Sequence, residues 1–257
     1  MTDVLSANAA QMASPSYRLA ATDQDFLLSD SMRGVRFLLE YAKAEEALRR
    51  WSVRSTIVVF GGARVRENGP GRQAFWYEQA RNFGRIASQR GGALRITGDA
   101  RDNVIATGGG PGIMEAANRG ATEVGAPSIG FNITLPAEQE PNAYSTPDLT
   151  FRFHYFAMRK MHLAMRAKAL VVLPGGFGTL DELFEIVTLQ QTGKAPLTPT
   201  VLIDEQYWRS VFSVDAMLEH GMVNPRDLEL FCYARDAEDA WAKLEERGIT
   251  CHASARI

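Results

Sequence analysis

Ala169-Leu170-Val171-Val172-Leu173 runs directly into Pro174-Gly175-Gly176-Phe177-Gly178-Thr179-Leu180-Asp181-Glu182. An apolar run that stops at Pro-Gly-Gly reads as a buried strand, and the residues beyond the break restart as a helix. The first amides of such a helix have no intrahelical acceptor, and its dipole favours negative charge, so the turn suits an anion. Gly175 and Gly176 let backbone approach a ligand closely, and Thr179 adds a hydroxyl. A phosphorylated small molecule fits that description. A second reading covers part of the segment. Thr179-Leu180-Asp181-Glu182 has the form of a capping box, which accounts for Thr179 and Glu182 without any ligand. It leaves Pro174, Gly175, Gly176 and Gly178 unexplained.

Outward from this segment the chain alternates strand and helix. Strands are expected at residues 56–60, 103–107, 128–135, 169–173, 200–203 and 230–233. Helices are expected at 31–50, 71–90, from 113 onward, 156–168, 179–191, 205–219 and 237–247. A polar loop containing Glu138, Gln139 and Asn142 separates the third strand from the helix at 156. This order predicts an α/β fold: a doubly wound parallel sheet in three layers, with right-handed crossovers, as a single domain. Residues 1–28, rich in Ala, Ser, Asn and Gln without periodicity, read as a mobile N-terminal arm, and 29–257 as the domain. Ligands of such sheets bind outside the carboxyl ends of the strands. Three glycine-rich turns, at Gly61-Gly62, Gly108-Gly109-Gly110-Pro111-Gly112 and Pro174-Gly175-Gly176, fall at that edge and can converge on one crevice.

Composition narrows the function classes. The chain has 257 residues, 46% of them hydrophobic, enough for a large core. A net charge of −2 argues against a nucleic-acid footprint. Cys232 and Cys251 have no CxxC spacing and support neither a disulfide framework nor a zinc site. The four histidines form no ligand cluster, so no metal is expected. No basic region followed by an apolar stretch opens the chain, and no apolar run approaches the ~20 residues needed to span a bilayer. A soluble, cytoplasmic protein is the expectation.

Two further segments carry candidate chemistry. The Gly108–Gly112 turn is a poor dinucleotide fingerprint: Glu115 stands where Gly or Ala is wanted, and the next strand has no acid at its tip. No Gly-Lys-Ser/Thr occurs, so a triphosphate loop is absent as well, and a mononucleotide suits these turns better. A tight connection without a ligand remains the other reading of this turn. The helix around 156–168 carries Arg159, His162 and Arg166 on one face, beside a stripe of Met158, Met161 and Met165 read as core. His162 and Arg166 read as a solvated face. Arg159-Lys160, on the element leading into the Pro-Gly-Gly strand, reads as a grip on phosphate or sugar oxygens.

With Arg159-Lys160 followed by Pro174-Gly-Gly-Phe-Gly-Thr-Leu-Asp-Glu182, the sequence resembles the LOG family, named for the "lonely guy" cytokinin-activating enzymes. Phe60-Gly61-Gly62-Ala63-Arg64 is similar to the family's first turn, and Gly108 through Ala116 to its second. Gly130-Phe131-Asn132-Ile133-Thr134-Leu135-Pro136, with Glu138, Gln139 and Asn142, resembles the longer bacterial branch. The resemblance runs from about residue 33 to 208. One departure is plain: the first turn usually reads Gly-Ser-Ala-Arg, and Gly62 stands here in place of the serine.

The resemblance implies a Rossmann-like phosphoribohydrolase that splits a nucleoside 5′-monophosphate, a cytokinin riboside monophosphate or AMP, into free base and ribose 5-phosphate. It implies no cofactor and a homodimer or higher homo-oligomer. The family's old label of lysine decarboxylase finds no support, since no lysine sits in a recognisable pyridoxal-phosphate setting. In the expected chemistry Glu182 stabilises charge on the ribose and activates water, and Arg159 holds phosphate or ribose oxygens. Gly175, Gly176, Gly178 and Thr179, with Lys160, bind phosphate, while Gly109, Gly110 and Met114 shape the nucleotide pocket. Glu115 either bonds a sugar or base edge or caps its helix. The alternative is a non-catalytic nucleotide carrier resembling molybdenum-cofactor carrier proteins, which free adenine released from AMP would exclude.

Overall fold

A computed structural model describes residues 7–95, 100–136 and 140–249. The chain divides into two units, Met1–Lys43 and Ala44–Ile257. In the first, short helices α1 (Ala9–Ala13) and α2 (Gln24–Leu28) precede the start of α3 (Arg33–Arg50). Asp23 caps α2 by accepting from Phe26 N at 3.3 Å. Arg36 Nη1 donates to the carbonyls of Leu27 and Ser29 at 2.8 and 2.6 Å.

The second unit is built on seven parallel strands. They are β1 (Thr56–Phe60), β2 (Val104–Thr107), β3 (Ser128–Ile133), β4 (Thr150–Phe153), β5 (Ala167–Val172), β6 (Thr200–Ile203) and β7 (Cys232–Ala234). Their order across the sheet is β4-β3-β2-β1-β5-β6-β7. Every residue of β1, β2 and β6 is buried, as expected of strands covered on both faces. The connecting helices are α4 (Gln73–Arg90), α5 (Ile113–Glu123), α6 (Phe156–Met165), α7 (Phe177–Gln191), α8 (Glu205–Val211), α9 (Val214–Glu219) and α10 (Ala237–Glu246). The chain winds outward from β1 to β4, then returns to place β5 on the other side of β1. The switch point therefore lies between β1 and β5, where crevices open in folds of this kind. Leu173 N donates to Phe60 O at 2.9 Å and carries the pairing to the last residue of β1.

Five sequence expectations are revised. Strand β4 falls in a stretch expected to be loop, yet Thr150-Phe151-Arg152-Phe153 alternates in burial as an edge strand does: Phe151 and Phe153 point inward and Arg152 outward. The helix expected at 205–219 is two helices, because Phe212 is extended and Ser213 caps α9 through Ala216 N at 3.1 Å. The helix expected to run to 168 stops at Met165, and Lys168 lies inside β5. His162 and Arg166 do not form a solvated face. His162 is 1% exposed, its ring lying 5.9 Å from that of Phe131 and 5.6 Å from that of Phe153. Arg166 Nη2 donates to Glu45 Oε1 at 2.8 Å. Among the methionines expected in the core, Met158 packs against it, but Met165 is exposed. Glu138, Gln139 and Cys251 lie outside the described residues.

Candidate active site

The turn after β5 starts its helix earlier than a capping box would. Gly176 is the N-cap of α7, so Thr179 is the third helical residue, and no side chain caps the terminus. Thr179 N and Leu180 N both donate to Gly176 O at 3.0 Å. The preceding amides, those of Phe177 and Gly178, have no intrahelical acceptor within reach. Gly176 and Gly178 face open space, whereas Gly175 is enclosed. A Cβ on Gly175 would collide with Thr179 Oγ1 and lie 2.8 Å from Gly62 N. Only glycine fits there.

Glu182, freed from any capping duty, sits one turn further along α7 and is 6% exposed. It accepts from Arg159 Nη1 at 3.0 Å, and Arg159 Nε donates to Phe131 O at 2.8 Å. Arg159 thereby ties the end of β3 to the helix behind the anion turn. Burial pushes the Glu182 carboxyl above its ordinary range, with the Arg159 and Lys160 charges opposing. Burial also lowers the Arg159 guanidinium, with the Glu182 charge opposing.

The turn after β2 reaches the same pair. A Cβ on Gly108 would lie 2.5 Å from Arg159 Nη2 and 2.9 Å from Met114 Sδ, so this glycine lets the arginine lie against backbone. Gly109 and Gly112 hold φ of +72° and +73°. Gly109 N donates to Thr107 Oγ1 at 2.9 Å, and its carbonyl accepts from Asn142 N at 2.9 Å. Asn142 Nδ2 donates to Gly110 O at 3.1 Å and to Asn118 Oδ1 at 3.0 Å. The polar groups of Gly109 thus have partners in the protein.

The turn after β1 joins the other two. Gly62 N donates to Pro174 O at 2.9 Å, and Gly62 O accepts from Ile113 N at 3.3 Å. Arg159, Glu182, Gly109, Gly110, Met114, Gly175, Gly176, Gly178 and Thr179 accordingly all sit on turns or helices of one sheet edge. Lys160 is differently engaged: its Nζ pairs with Asp181 and Glu185, each at 2.8 Å. Glu115 accepts from Tyr77 Oη at 2.8 Å. Gly108, Asn142 and Tyr207, whose hydroxyl donates to Gly175 O at 2.7 Å, belong to the same framework. The sequence hinted at Gly108 and Asn142 by proximity to the motifs. It gave no signal for Tyr207.

A cavity of about 980 Å³ opens between α6, α7, β1 and β5, with Glu182 at its wall and Met161, Leu163, Ile186 and Leu189 among its lining. Among the described residues no three His, Cys, Asp or Glu side chains gather as metal ligands, and no helix is long and apolar enough to cross a membrane.

A family model described as possible lysine decarboxylase matches residues 114–244. A cytokinin riboside 5′-monophosphate phosphoribohydrolase of Arabidopsis thaliana, LOG3, is 36% identical over 95 residues, covering 37% of this chain and 44% of that protein. A probable enzyme of the same description from Oryza sativa subsp. japonica, LOGL5, is 27% identical over 182 residues, covering 70% of this chain and 69% of that protein. The chain therefore spans less than half of the Arabidopsis relative and about two thirds of the rice one. An X-ray structure of the structural-genomics target TM1055 superposes with a TM-score of 0.52 at 20% identity, covering 75% of this chain and 99% of that one, a likeness of fold.

Proposed function

This chain belongs to the LOG family, whose model carries the description possible lysine decarboxylase, and we propose that it hydrolyses the N-glycosidic bond of a nucleoside 5′-monophosphate. The products are the free base and ribose 5-phosphate, and the substrate is AMP or a cytokinin riboside monophosphate. The observation that carries this reading is the buried Arg159–Glu182 pair, one helical turn behind a glycine turn whose leading amides are open to an anion.

In this mechanism the phosphate rests on the Phe177 and Gly178 amides at the start of α7, where the helix dipole assists. The C1′–N bond breaks with its electron pair passing to the base, which takes a proton from solvent. Positive charge grows on the ribose ring and is stabilised by the Glu182 carboxylate. Water then adds to C1′, and Glu182 accepts its proton. Arg159 holds Glu182 in place and faces the sugar phosphate across Gly108. A carboxyl whose affinity for protons is raised by burial is a better base than a solvated one. Neither step draws on a cofactor.

A homodimer belongs to the same proposal, together with a cytoplasmic setting. Phe177 at 92% exposure, beside Leu180, Phe184 and Leu189 on α7, supports a second copy covering this face. Incubation with AMP and with isopentenyladenosine monophosphate, followed by chromatography for free base, tests the activity. No base released from either by the wild-type protein overturns it. Light scattering on the eluted protein tests the dimer, and a monomer mass at all concentrations would remove it.

A further inference from the structure

We propose that Tyr207 is a positioning residue that sets the orientation of the anion-binding turn, an inference that rests on the hydrolase reading above. The Tyr207 hydroxyl donates to Gly175 O at 2.7 Å, from a helix that follows the next strand of the sheet. Gly175 is already enclosed by Thr179 Oγ1 and Gly62 N, so this hydroxyl completes the fixing of its peptide. In a trans peptide the carbonyl of one residue and the N–H of the next point in opposite directions within one plane. Holding Gly175 O therefore dictates where Gly176 N–H points and fixes how the chain enters α7, where the Phe177 and Gly178 amides lie. The Gly175-Gly176 link is poorly able to hold that plane by itself, since neither residue has a Cβ.

Tyr207 is itself held from two sides. Its ring stands edge-on to those of Trp76 and Trp208, with centroids 5.5 and 5.2 Å apart. Trp76 Nε1 donates to Asp204 Oδ2 at 2.7 Å, and Arg72 Nε reaches the same oxygen at 2.9 Å. Asp204 Oδ1 accepts from Tyr207 N at 3.3 Å. Asp204 adopts φ +74°, a left-handed conformation that a residue with a Cβ rarely takes. Such a conformation persists where surrounding bonds over-determine it, and here those bonds lead to the anion turn. The Tyr207 hydroxyl joins the segment after β6 to the segment after β5, and the segment after β1 meets them through Gly62 N on Pro174 O and through the Trp76 ring.

Tyr207→Phe keeps the ring and removes the donor. Its Kd for ribose 5-phosphate and its KM for AMP are expected to rise about fivefold to tenfold, the scale of one hydrogen bond. Its kcat stays within about twofold, because an interaction made equally in ground and transition states moves KM alone. Affinity for adenosine, which lacks the phosphate, is unchanged, and the thermal midpoint falls by only about 2–4 °C, the loss of one hydrogen bond. Trp76→Phe, which keeps an aromatic ring beside Tyr207 but loses the donor to Asp204 and part of the indole, shows a smaller rise in the same ribose 5-phosphate Kd. Equal ribose 5-phosphate affinity in wild type and Tyr207→Phe overturns the positioning role. So does a loss of adenosine affinity equal to the loss for AMP, which would mark a general structural defect. A wild type that binds ribose 5-phosphate but releases no base overturns the hydrolase reading and leaves the Kd comparison to decide Tyr207. A wild type that binds no ribose 5-phosphate overturns the positioning role, and base release alone then decides the hydrolase reading.

Discussion

Arg159 Nη1 lies 3.0 Å from Glu182 Oε1, and both side chains are about nine-tenths buried. A buried ion pair is a weak source of stability, because desolvation of both charges offsets their attraction. Its position at the glycine edge, where burial raises the acid against the pull of the base, is what a catalytic carboxylate requires.

Removal of the carboxylate separates chemistry from folding. Glu182→Gln keeps the shape and an acceptor for Arg159, so circular dichroism stays that of the wild type. Release of adenine from AMP should fall by about 100-fold or more, the usual contribution of a positioned general base. Retention of full turnover would remove Glu182 from the mechanism.

Removal of the arginine acts on both. Arg159→Ala leaves a buried carboxylate without its partner and is expected to cost about 3–5 kcal/mol of stability, read from urea midpoints. Its kcat/KM for AMP falls as well, and an unchanged value contradicts the assignment. Arg159→Lys retains charge but not the fork that reaches both Phe131 O and Glu182, and should recover only part of the loss.

The pH dependence follows from the direction of the Glu182 shift. Its carboxyl is raised above 4.5 in the folded state. The folded protein thus binds this proton more tightly than the unfolded chain. Its contribution to stability is full below the unfolded value and is lost as pH rises through the folded one. Activity runs the other way, since the base must be ionised. The acid limb of kcat/KM for AMP should lie above the ordinary carboxylate range, and Arg159→Met, which removes an opposing charge, should move it higher still. A limb at or below 4.5 in the wild type contradicts this.

The glycines of the anion turn divide into two kinds. Gly175→Ala has no room and should destabilise by about 1–3 kcal/mol while abolishing ribose 5-phosphate binding. Gly178→Ala meets nothing within 4 Å. Its stability should stay within about 0.5 kcal/mol of wild type, so that any loss of affinity reports the ligand's approach and not the fold. Thermal melts beside ribose 5-phosphate titrations distinguish them.

Gly62 replaces the serine usual in the resembling family, and the space for that serine is tight but present. A Cβ there would lie 3.2 Å from both Pro174 O and Val65 Cγ2. Gly62→Ser should fold with a small local shift and, by restoring a hydroxyl at the switch point, lower KM for AMP severalfold. A raised KM would show that this turn has no use for the hydroxyl.

The inner strands were legible because burial on both faces leaves a short, mostly apolar run bounded by turn residues, Gly61 after one and Pro199 and Asp204 around the other. Thr56–Phe60 and Thr200–Ile203 are found where the sequence places them. Strand β4 was obscured because an edge strand shows only alternate apolar residues, and Phe151 and Phe153 are too few to stand out beside a polar loop. The start of α7 was misjudged because Thr179 and Glu182 mimic a capping box, whereas the terminus is left without a side-chain cap. Arg159 and Glu182 were each picked out as candidates, but their pairing joins two helices and has no periodicity to betray it. The hydroxyl of Tyr207 reaches Gly175 from beyond another strand, where no local pattern points. Motifs disclosed the glycine turns and the Arg159–Glu182 residues and were silent on what steadies them.

Because β1 and β5 are neighbours in the sheet but far apart along the chain, the crevice between them is assembled from two distant halves. Gly62 comes with the earlier half, and the anion turn with its carboxylate comes with the later one. A polypeptide severed in a surface loop between these strands would yield two fragments, each inert alone. Regain of the proposed activity on mixing would then gauge their reassociation, making the protein a candidate for complementation assays in which two fused proteins are asked whether they meet.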